Sequence, residues 1–308
     1  MKWHLKTAAM FVMMTLILLA VGTAIGYLFD SMWLGLIMML GLSVVFNLYA
    51  YFFSKRSALR ANRARIVTEA EEPRLHAIVR GVAAKAGVPM PEVGISELPM
   101  PNAFATGRNP KNAAVVATRG LLSLLPDDEL EGVIAHEMAH VRNRDILVMS
   151  VASTMAAVLS YLSRYAIYAV MFGGNNNKNA LSYVIAIALS ITVPIAALLV
   201  QLGVSRSREY LADETGARIT GNPRALARAL RSIETGVNSP RNEYDSSSYA
   251  DMWISDPVRK RSLFTKMFST HPPMDDRIAR LNDLAMKMDS GQIPRSGVSA
   301  KKKRSAYI

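Results

Sequence analysis

Two long apolar runs without a charged residue constrain the fold of this chain more than any other feature. They occupy residues 7–29 and 32–53, and only Asp30 and Ser31 separate them. Each run exceeds the roughly 20 residues that a helix needs to cross a bilayer. The first run is too long for a secretory signal peptide, and a second run follows it at once. The sequence therefore predicts an N-terminal hairpin of two transmembrane helices.

Two further apolar runs lie in the second half of the chain, at 146–172 and 180–204. The earlier run contains Arg164 near its far end, where a long side chain can reach the membrane interface. The later run carries no charge, and an Asn-rich turn at 173–179 separates the two. Their length and lack of charge favour a second transmembrane hairpin. The alternative is a helical hairpin buried in a soluble domain.

The net charge of +12 is concentrated beside these four runs. Basic residues precede the first and third runs and follow the second and fourth, whereas the short connectors hold one Asp and one Lys. The positive-inside rule therefore places both termini, and the residues between the second and third runs, in the cytoplasm. Because topology explains most of the charge, no nucleic-acid partner is expected. A basic tail at 291–308 is predicted to be disordered, and it either touches anionic lipid or is a solvated tail without a role.

The fold class predicted for the remaining chain is α+β, mainly helical with a small sheet. We expect an N-terminal hairpin with a basic linker at 1–65, a second hairpin at 146–204, and one folded domain formed by 66–145 and 205–290. The predicted helices are 71–86, 119–125, 126–143, 205–220, 224–235 and 275–288. The predicted strands are 91–97, 102–106 and 113–118.

The helix predicted at 126–143 carries His136, Glu137 and His140. Positions i and i+4 share one face of a helix, so both imidazoles can meet one cation. The chain has no cysteine and only five histidines, so any metal site must use His, Asp or Glu. A bound zinc ion lowers the pKa of water to about 7, and Glu137 could take its proton as the water attacks a carbonyl. The alternative is a soluble helix with two exposed histidines.

A third ligand is available in the helix predicted at 205–220. Glu209 and Asp213 are again four positions apart and therefore share a face. Glu209 could bind the metal while Asp213 accepts a hydrogen bond from a ligand histidine. The alternative is a surface charge network formed with Arg206 and Arg208.

The H-E-M-A-H helix, the later E-Y-L-A-D helix and the four apolar runs resemble the HtpX family of membrane zinc metalloproteases. That family is of the gluzincin type and is related to the CAAX prenyl endopeptidases. The resemblance extends from the first run to about residue 282. It implies one Zn²⁺ per chain, bound by His136, His140 and Glu209. It further implies Glu137 as the general base and Asp213 as the partner of a ligand histidine.

Two further stretches resemble the same family. Asn102, Ala103, Phe104 and Ala105 resemble its edge strand beside the cleft, where a peptide could add by main-chain hydrogen bonds. The alternative is an ordinary buried strand. His271 and Arg277 resemble an H-P…R segment, which implies that His271 contacts the oxyanion with support from Arg277. The alternative is a turn and a local salt bridge. The two other histidines, His4 and His76, are interpreted as structural.

The resemblance implies a zinc metalloendopeptidase in the bacterial cytoplasmic (inner) membrane. Its expected substrates are polypeptides, mainly misfolded or damaged membrane proteins cleaved during stress, and membrane lipid surrounds its spans. Two alternatives remain from the residues alone. One is a protease that processes prenylated peptides, and the other is a non-catalytic membrane scaffold.

Overall fold

The computed structural model describes residues 31–147, 208–237 and 272–294, together with scattered positions between Val12 and Thr23. Nearly all of the first, third and fourth predicted apolar runs therefore lie outside the described residues, as do His4, His271 and most of the basic tail. The elements in chain order are α1 (Met32–Ala61), β1 (Ala64–Ile66), α2 (Pro73–Ala86), β2 (Glu92–Ser96), β3 (Ala103–Gly107), β4 (Ala113–Thr118), α3 (Arg119–Leu124), α4 (Asp127–Asn143), α5 (208–220), α6 (Pro223–Val237) and α7 (Met274–Asp289).

Helix α1 contains the whole second apolar run and continues beyond it. Its first part presents large apolar side chains to the outside, including Trp33 at 72% exposure and Ile37 at 62%. Its last turns pack against β1 and β3, and residues 54–61 continue the helix. In the parts of the chain that the structure describes, no helix combines the length and the apolar character that crossing a membrane requires.

The sheet has four strands in the order β1-β2-β4-β3. Strand β1 pairs antiparallel with β2, β2 parallel with β4, and β3 antiparallel with β4. The sequence did not predict β1, because three residues are too short to show an alternating pattern. The predicted domain boundary at residue 65 falls inside this strand.

Helices α2 and α4 pack against the sheet, α6 packs on α4, and α7 packs on α6. Helix α4 starts after Pro126 with three acidic residues in its first turn, where the helix dipole favours negative charge. Its central residues are buried on all sides, since the sheet, α2 and α6 cover it. The predicted α+β class, mainly helical with a small sheet, is confirmed. The site residues on α4 are therefore held by a packed core.

Candidate metal centre

Helix α4 places the imidazoles of His136 and His140 side by side in the protein interior. Both residues are buried, and their Nε2 atoms lie 3.3 Å apart. The two rings are nearly perpendicular, with an interplanar angle of 87°. One turn of helix separates the residues, so both Nε2 atoms face the same small volume.

Helix α5 brings Glu209 to the same volume. Its Oε2 atom lies 3.5 Å from His136 Nε2, and its Oε1 atom lies 3.3 Å from His140 Nε2. Glu209 is also buried, and the three residues together form a group that could hold one metal ion. Two helices that are far apart in the chain, α4 and α5, thus meet at one site.

The spacing of these three groups fits zinc. Zinc binds histidine nitrogen and carboxylate oxygen at about 2.0–2.2 Å in tetrahedral geometry, which puts neighbouring ligand atoms about 3.4 Å apart. The observed separations of 3.3–3.5 Å are of this size, with Oε2 of Glu209 nearest to His136 and Oε1 nearest to His140. Two imidazoles and one carboxylate are also a donor set that zinc accepts, and they would leave a fourth position for a reacting molecule.

The close approach of α5 to α4 depends on Gly216. A Cβ atom at this position would lie 2.8 Å from the backbone nitrogen of His136. Real Cβ atoms do not come so near to backbone, so any larger residue would separate the two helices. Gly216 therefore sets the distance at which Glu209 meets the two histidines.

Asp213 lies beside His136 on the side away from the candidate metal position. Its Oδ1 atom is 2.9 Å from His136 Nδ1. Arg277, from α7, is fully buried and donates to both carboxylate oxygens, at 2.8 Å from Nε and 2.7 Å from Nη2. Burial alone would raise the pKa of Asp213, but the charge and hydrogen bonds of Arg277 hold that pKa at about 2. Asp213 is therefore a carboxylate that can accept the Nδ1 proton of His136.

Asp145 occupies the equivalent place beside His140. Its Oδ2 atom lies 3.6 Å from His140 Nδ1, and its Oδ1 atom lies 3.2 Å from Nη1 of Arg208. Burial lowers the pKa of His140, but Asp145 and Glu209 raise it to about 10. This strongly negative surrounding also favours a bound cation. The sequence analysis did not single out Asp145, and its position two residues after the end of α4 was the only available signal.

Glu137 lies between the histidines and the sheet. Its side chain is almost fully buried where α4 packs on β3, and its carboxylate faces the backbone of Ala105. Burial raises the pKa of Glu137, although the neighbouring histidines oppose this shift. A carboxylate with a raised pKa can exchange protons closer to neutral pH, as acid–base catalysis requires.

Strand β3 has one edge bonded to β4 and the other turned towards Glu137. Asn102, just before the strand, bonds β4 through its main chain, since its carbonyl accepts from Thr118 N at 2.9 Å. Antiparallel pairs alternate, so Phe104 and Thr106 also bond β4, while the main-chain groups of Ala103, Ala105 and Gly107 point to the opposite edge. The position of Glu137 beside Ala105 agrees with this pattern.

Of the other predicted residues, Phe104 packs in the core with 1% exposure. His76 lies on α2 with its Nε2 atom 3.0 Å from the carbonyl of Val67. His271 lies outside the described residues. Arg277 is held against Asp213, and its Nη1 atom is 3.5 Å from Oε2 of Glu209.

Residues 69–285 match the model of Peptidase family M48. This chain belongs to peptidase family M48. All residues of the candidate centre lie inside the matched range. The chain is also 46% identical over 286 residues to a protease HtpX homolog of Thermococcus kodakarensis, covering 92% of this chain and 97% of that protein. The corresponding protein of Kineococcus radiotolerans is 44% identical over 288 residues, covering 91% of this chain and 96% of that protein.

The predicted resemblance to the HtpX family is thereby confirmed, and this chain is a metalloprotease. The alternative of a non-catalytic scaffold is set aside. Among solved structures, the crystal structure of S. mikatae Ste24p aligns with a TM-score of 0.51 at 18% identity. The alignment covers 86% of this chain and 62% of the Ste24p chain, and it shows a shared fold.

Proposed function

We propose that this M48 metalloprotease is a zinc endopeptidase that binds one Zn²⁺ per chain through His136, His140 and Glu209. The observation that carries the proposal is the set of three donor separations of 3.3–3.5 Å in one buried site. Separations of this size support one zinc ion held between the two imidazoles and the carboxylate.

When bound, zinc would supply Lewis-acid chemistry, lowering the pKa of water to about 7 and polarising the scissile carbonyl. Glu137 takes the proton of the attacking water as the new carbon–oxygen bond forms. It then delivers that proton to the amide nitrogen as the carbon–nitrogen bond breaks. The raised pKa of Glu137, caused mainly by burial, supports both transfers.

The substrate is proposed to bind as an extended peptide along β3. The outward main-chain groups of Ala103, Ala105 and Gly107 offer the hydrogen bonds of one further strand. Because Glu137 already contacts Ala105, a peptide on this edge would run past the proposed base. Such main-chain recognition suits a protease that accepts many sequences, including misfolded polypeptides.

His271 is proposed, from the family resemblance, to donate a hydrogen bond to the developing oxyanion. Arg277 follows it closely in the chain and is engaged by Asp213 through two hydrogen bonds. We propose that Arg277 acts mainly through Asp213, which orients His136. This role through Asp213 differs from direct support of the oxyanion, and the two roles of Arg277 can be tested separately.

Attachment to the cytoplasmic membrane is proposed through the four apolar runs, with the catalytic domain and both termini in the cytoplasm. The second run is uncharged over 22 residues, above the roughly 20 that a helix needs to cross a bilayer. Lys55 and Arg56 follow at the predicted cytoplasmic end. Membrane proteins that are misfolded or damaged under stress are the proposed substrates.

The topology can be tested cleanly because the chain has no cysteine. Single-cysteine variants Ser31→Cys and Ala70→Cys would report the two proposed sides of the membrane. A membrane-impermeant maleimide should label Ser31→Cys in intact cells and should label Ala70→Cys only after lysis. Extraction of either variant by alkaline carbonate would argue against integral attachment.

The chemistry is tested by zinc stoichiometry and casein proteolysis on purified full-length protein. Glu137→Gln should keep one zinc per chain and lose proteolysis, whereas Glu209→Ala should lose both. His76→Gln is the matched control, since His76 contacts Val67 instead of the metal group. Normal zinc binding and cleavage by Glu209→Ala would refute the proposed ligand set.

A further inference from the structure

Each histidine of the candidate centre faces a buried carboxylate that an arginine holds from behind. For His136 the pair is Asp213 and Arg277, and for His140 the corresponding residues are Asp145 and Arg208. We infer that Asp145 and Arg208 are positioning residues for His140, which orient its ring for the metal and join helix α4 to helix α5. The inference rests on the proposed zinc site.

His140 and Asp145 lie next to each other in the protein interior. Asp145 is 1% exposed, and its Oδ2 atom lies 3.6 Å from Nδ1 of His140. Among the described residues, neither of these two buried atoms has another hydrogen-bond partner. Buried polar groups are rarely left unpaired, so a small movement of either side chain would pair them with each other.

The backbone after α4 is shaped to deliver this carboxylate. Helix α4 ends at Asn143, and Arg144 takes a left-handed conformation with φ of 58°. The N–H of Asp145 then donates to the carbonyl of His140 at 2.9 Å. This turn folds Asp145 back towards the ring of the histidine five positions earlier. Arginine adopts such a conformation only at a cost, so the surrounding contacts must hold it.

Arg208 connects this turn to the third ligand. It stands at the start of the described part of α5, one residue before Glu209, and its Nη1 atom lies 3.2 Å from Oδ1 of Asp145. The Arg208 side chain is 15% exposed, so the ion pair is largely shielded from solvent. Asp145 therefore meets His140 on one side and the helix of Glu209 on the other.

The chemical consequence concerns the tautomer of His140. If Nδ1–H donates to Asp145, the lone pair of Nε2 is left facing Glu209 and His136, as a metal ligand requires. Without Asp145, the ring of His140 can rotate or carry its proton on Nε2. Metal binding must then turn the ring back or remove that proton. Removing Asp145 is therefore expected to lower the metal affinity and to change the geometry of the bound ion.

The test uses purified full-length protein stripped of metal, with zinc affinity measured by competition with a chromophoric chelator. Asp145→Asn, which keeps the side-chain volume, should weaken zinc binding about 10- to 100-fold. It should also alter the visible absorption spectrum of the cobalt(II)-substituted protein. Arg218→Ala is the matched control, since Arg218 on α5 forms only an exposed pair with Glu214 at 2.8 Å.

A purely structural ion pair would lower the unfolding temperature of Asp145→Asn but leave zinc affinity and the cobalt spectrum unchanged, and this result would overturn the inference. If Asp145→Asn does not fold, Arg208→Lys takes its place, and unchanged zinc affinity there has the same meaning. In the double variant, Arg208→Lys should add little to Asp145→Asn, because Arg208 acts through Asp145. Failure of the wild type itself to bind zinc or cobalt would instead refute the proposed function.

Discussion

His136 Nδ1 and Asp213 Oδ1 lie 2.9 Å apart, in a contact that is buried on every side and closed from behind by Arg277. The geometry fixes the ring of His136, because a carboxylate held on two oxygens cannot rotate away from its histidine. Burial raises the pKa of Asp213, but the charge and hydrogen bonds of Arg277 and the contact with His136 together hold it at about 2, so the carboxylate remains ionised at physiological pH. One of the three proposed ligands is therefore oriented through two further elements of the fold.

We predict that Arg277→Lys weakens zinc binding by about tenfold or more, because a lysine cannot hold both oxygens of Asp213. The proteolytic rate at saturating zinc should fall much less. Zinc affinity and kcat, measured separately, distinguish this from direct oxyanion support, which would lower kcat and leave zinc affinity intact. Arg280→Lys, an exposed position on the same helix that covers the ring of Tyr210, is the control.

Stability should respond to the same contact. In Arg277→Ala, Asp213 keeps its charge in the interior without its strongest partner. Removing one member of a buried ion pair costs about 3–5 kcal/mol. Thermal unfolding of the metal-free protein should therefore occur at a clearly lower temperature than in the wild type. An unchanged unfolding temperature would show that Asp213 finds another partner when Arg277 is removed.

The sequence reveals those parts of the centre that follow from local spacing. His136 and His140 share a helix, as do Glu209 and Asp213, and four-residue spacing places each pair on one face. Asp145 could not be found this way, because its position depends on a left-handed turn at Arg144. The contact of Arg277 with Asp213 joins positions 64 apart in the chain, and no local pattern encodes it.

The sheet shows the same division between local and distant information. Strands β2, β3 and β4 were predicted from their apolar and alternating residues, and helix α4 from its period and its acidic first turn. Strand β1 was missed because Ala64–Ile66 is a strand only through its pairing with β2. The close approach at Gly216 likewise depends on His136, which lies on another helix.

We predict that Gly216→Ala weakens zinc binding, because the added Cβ would collide with the backbone of His136 and push α5 away. Gly81→Ala is the matched control. Gly81 lies within α2. A Cβ atom added there would have no atom of the other described residues within 4 Å, so alanine should stabilise the helix by up to about 1 kcal/mol. Chelator competition and thermal unfolding check both variants. Equal zinc affinity in Gly216→Ala and the wild type would mean that the helices can separate without moving Glu209.

We predict that Ala105→Pro leaves the protein folded but reduces proteolysis severalfold. Proline removes the N–H of Ala105, which faces Glu137 instead of β4, so no ladder hydrogen bond is lost. A peptide strand would therefore lose a bonding position beside Glu137. Phe104→Pro is the comparison, since its N–H belongs to the ladder with β4 and its loss should impair folding. Circular dichroism and casein cleavage separate the two outcomes.

The metal itself should contribute measurably to stability, because its three proposed ligands come from two helices that are distant in the chain. A ligand that binds only the folded state, at a free concentration 100 times its Kd, adds about 2.7 kcal/mol to the free energy of unfolding. Adding Zn²⁺ to chelator-treated protein should therefore restore proteolysis and raise the unfolding temperature. Mg²⁺ should do neither, because it prefers octahedral oxygen ligands and the site offers two imidazoles. In His140→Ala the zinc-induced rise should disappear, and a persistent rise there would place the stabilising metal at some other site.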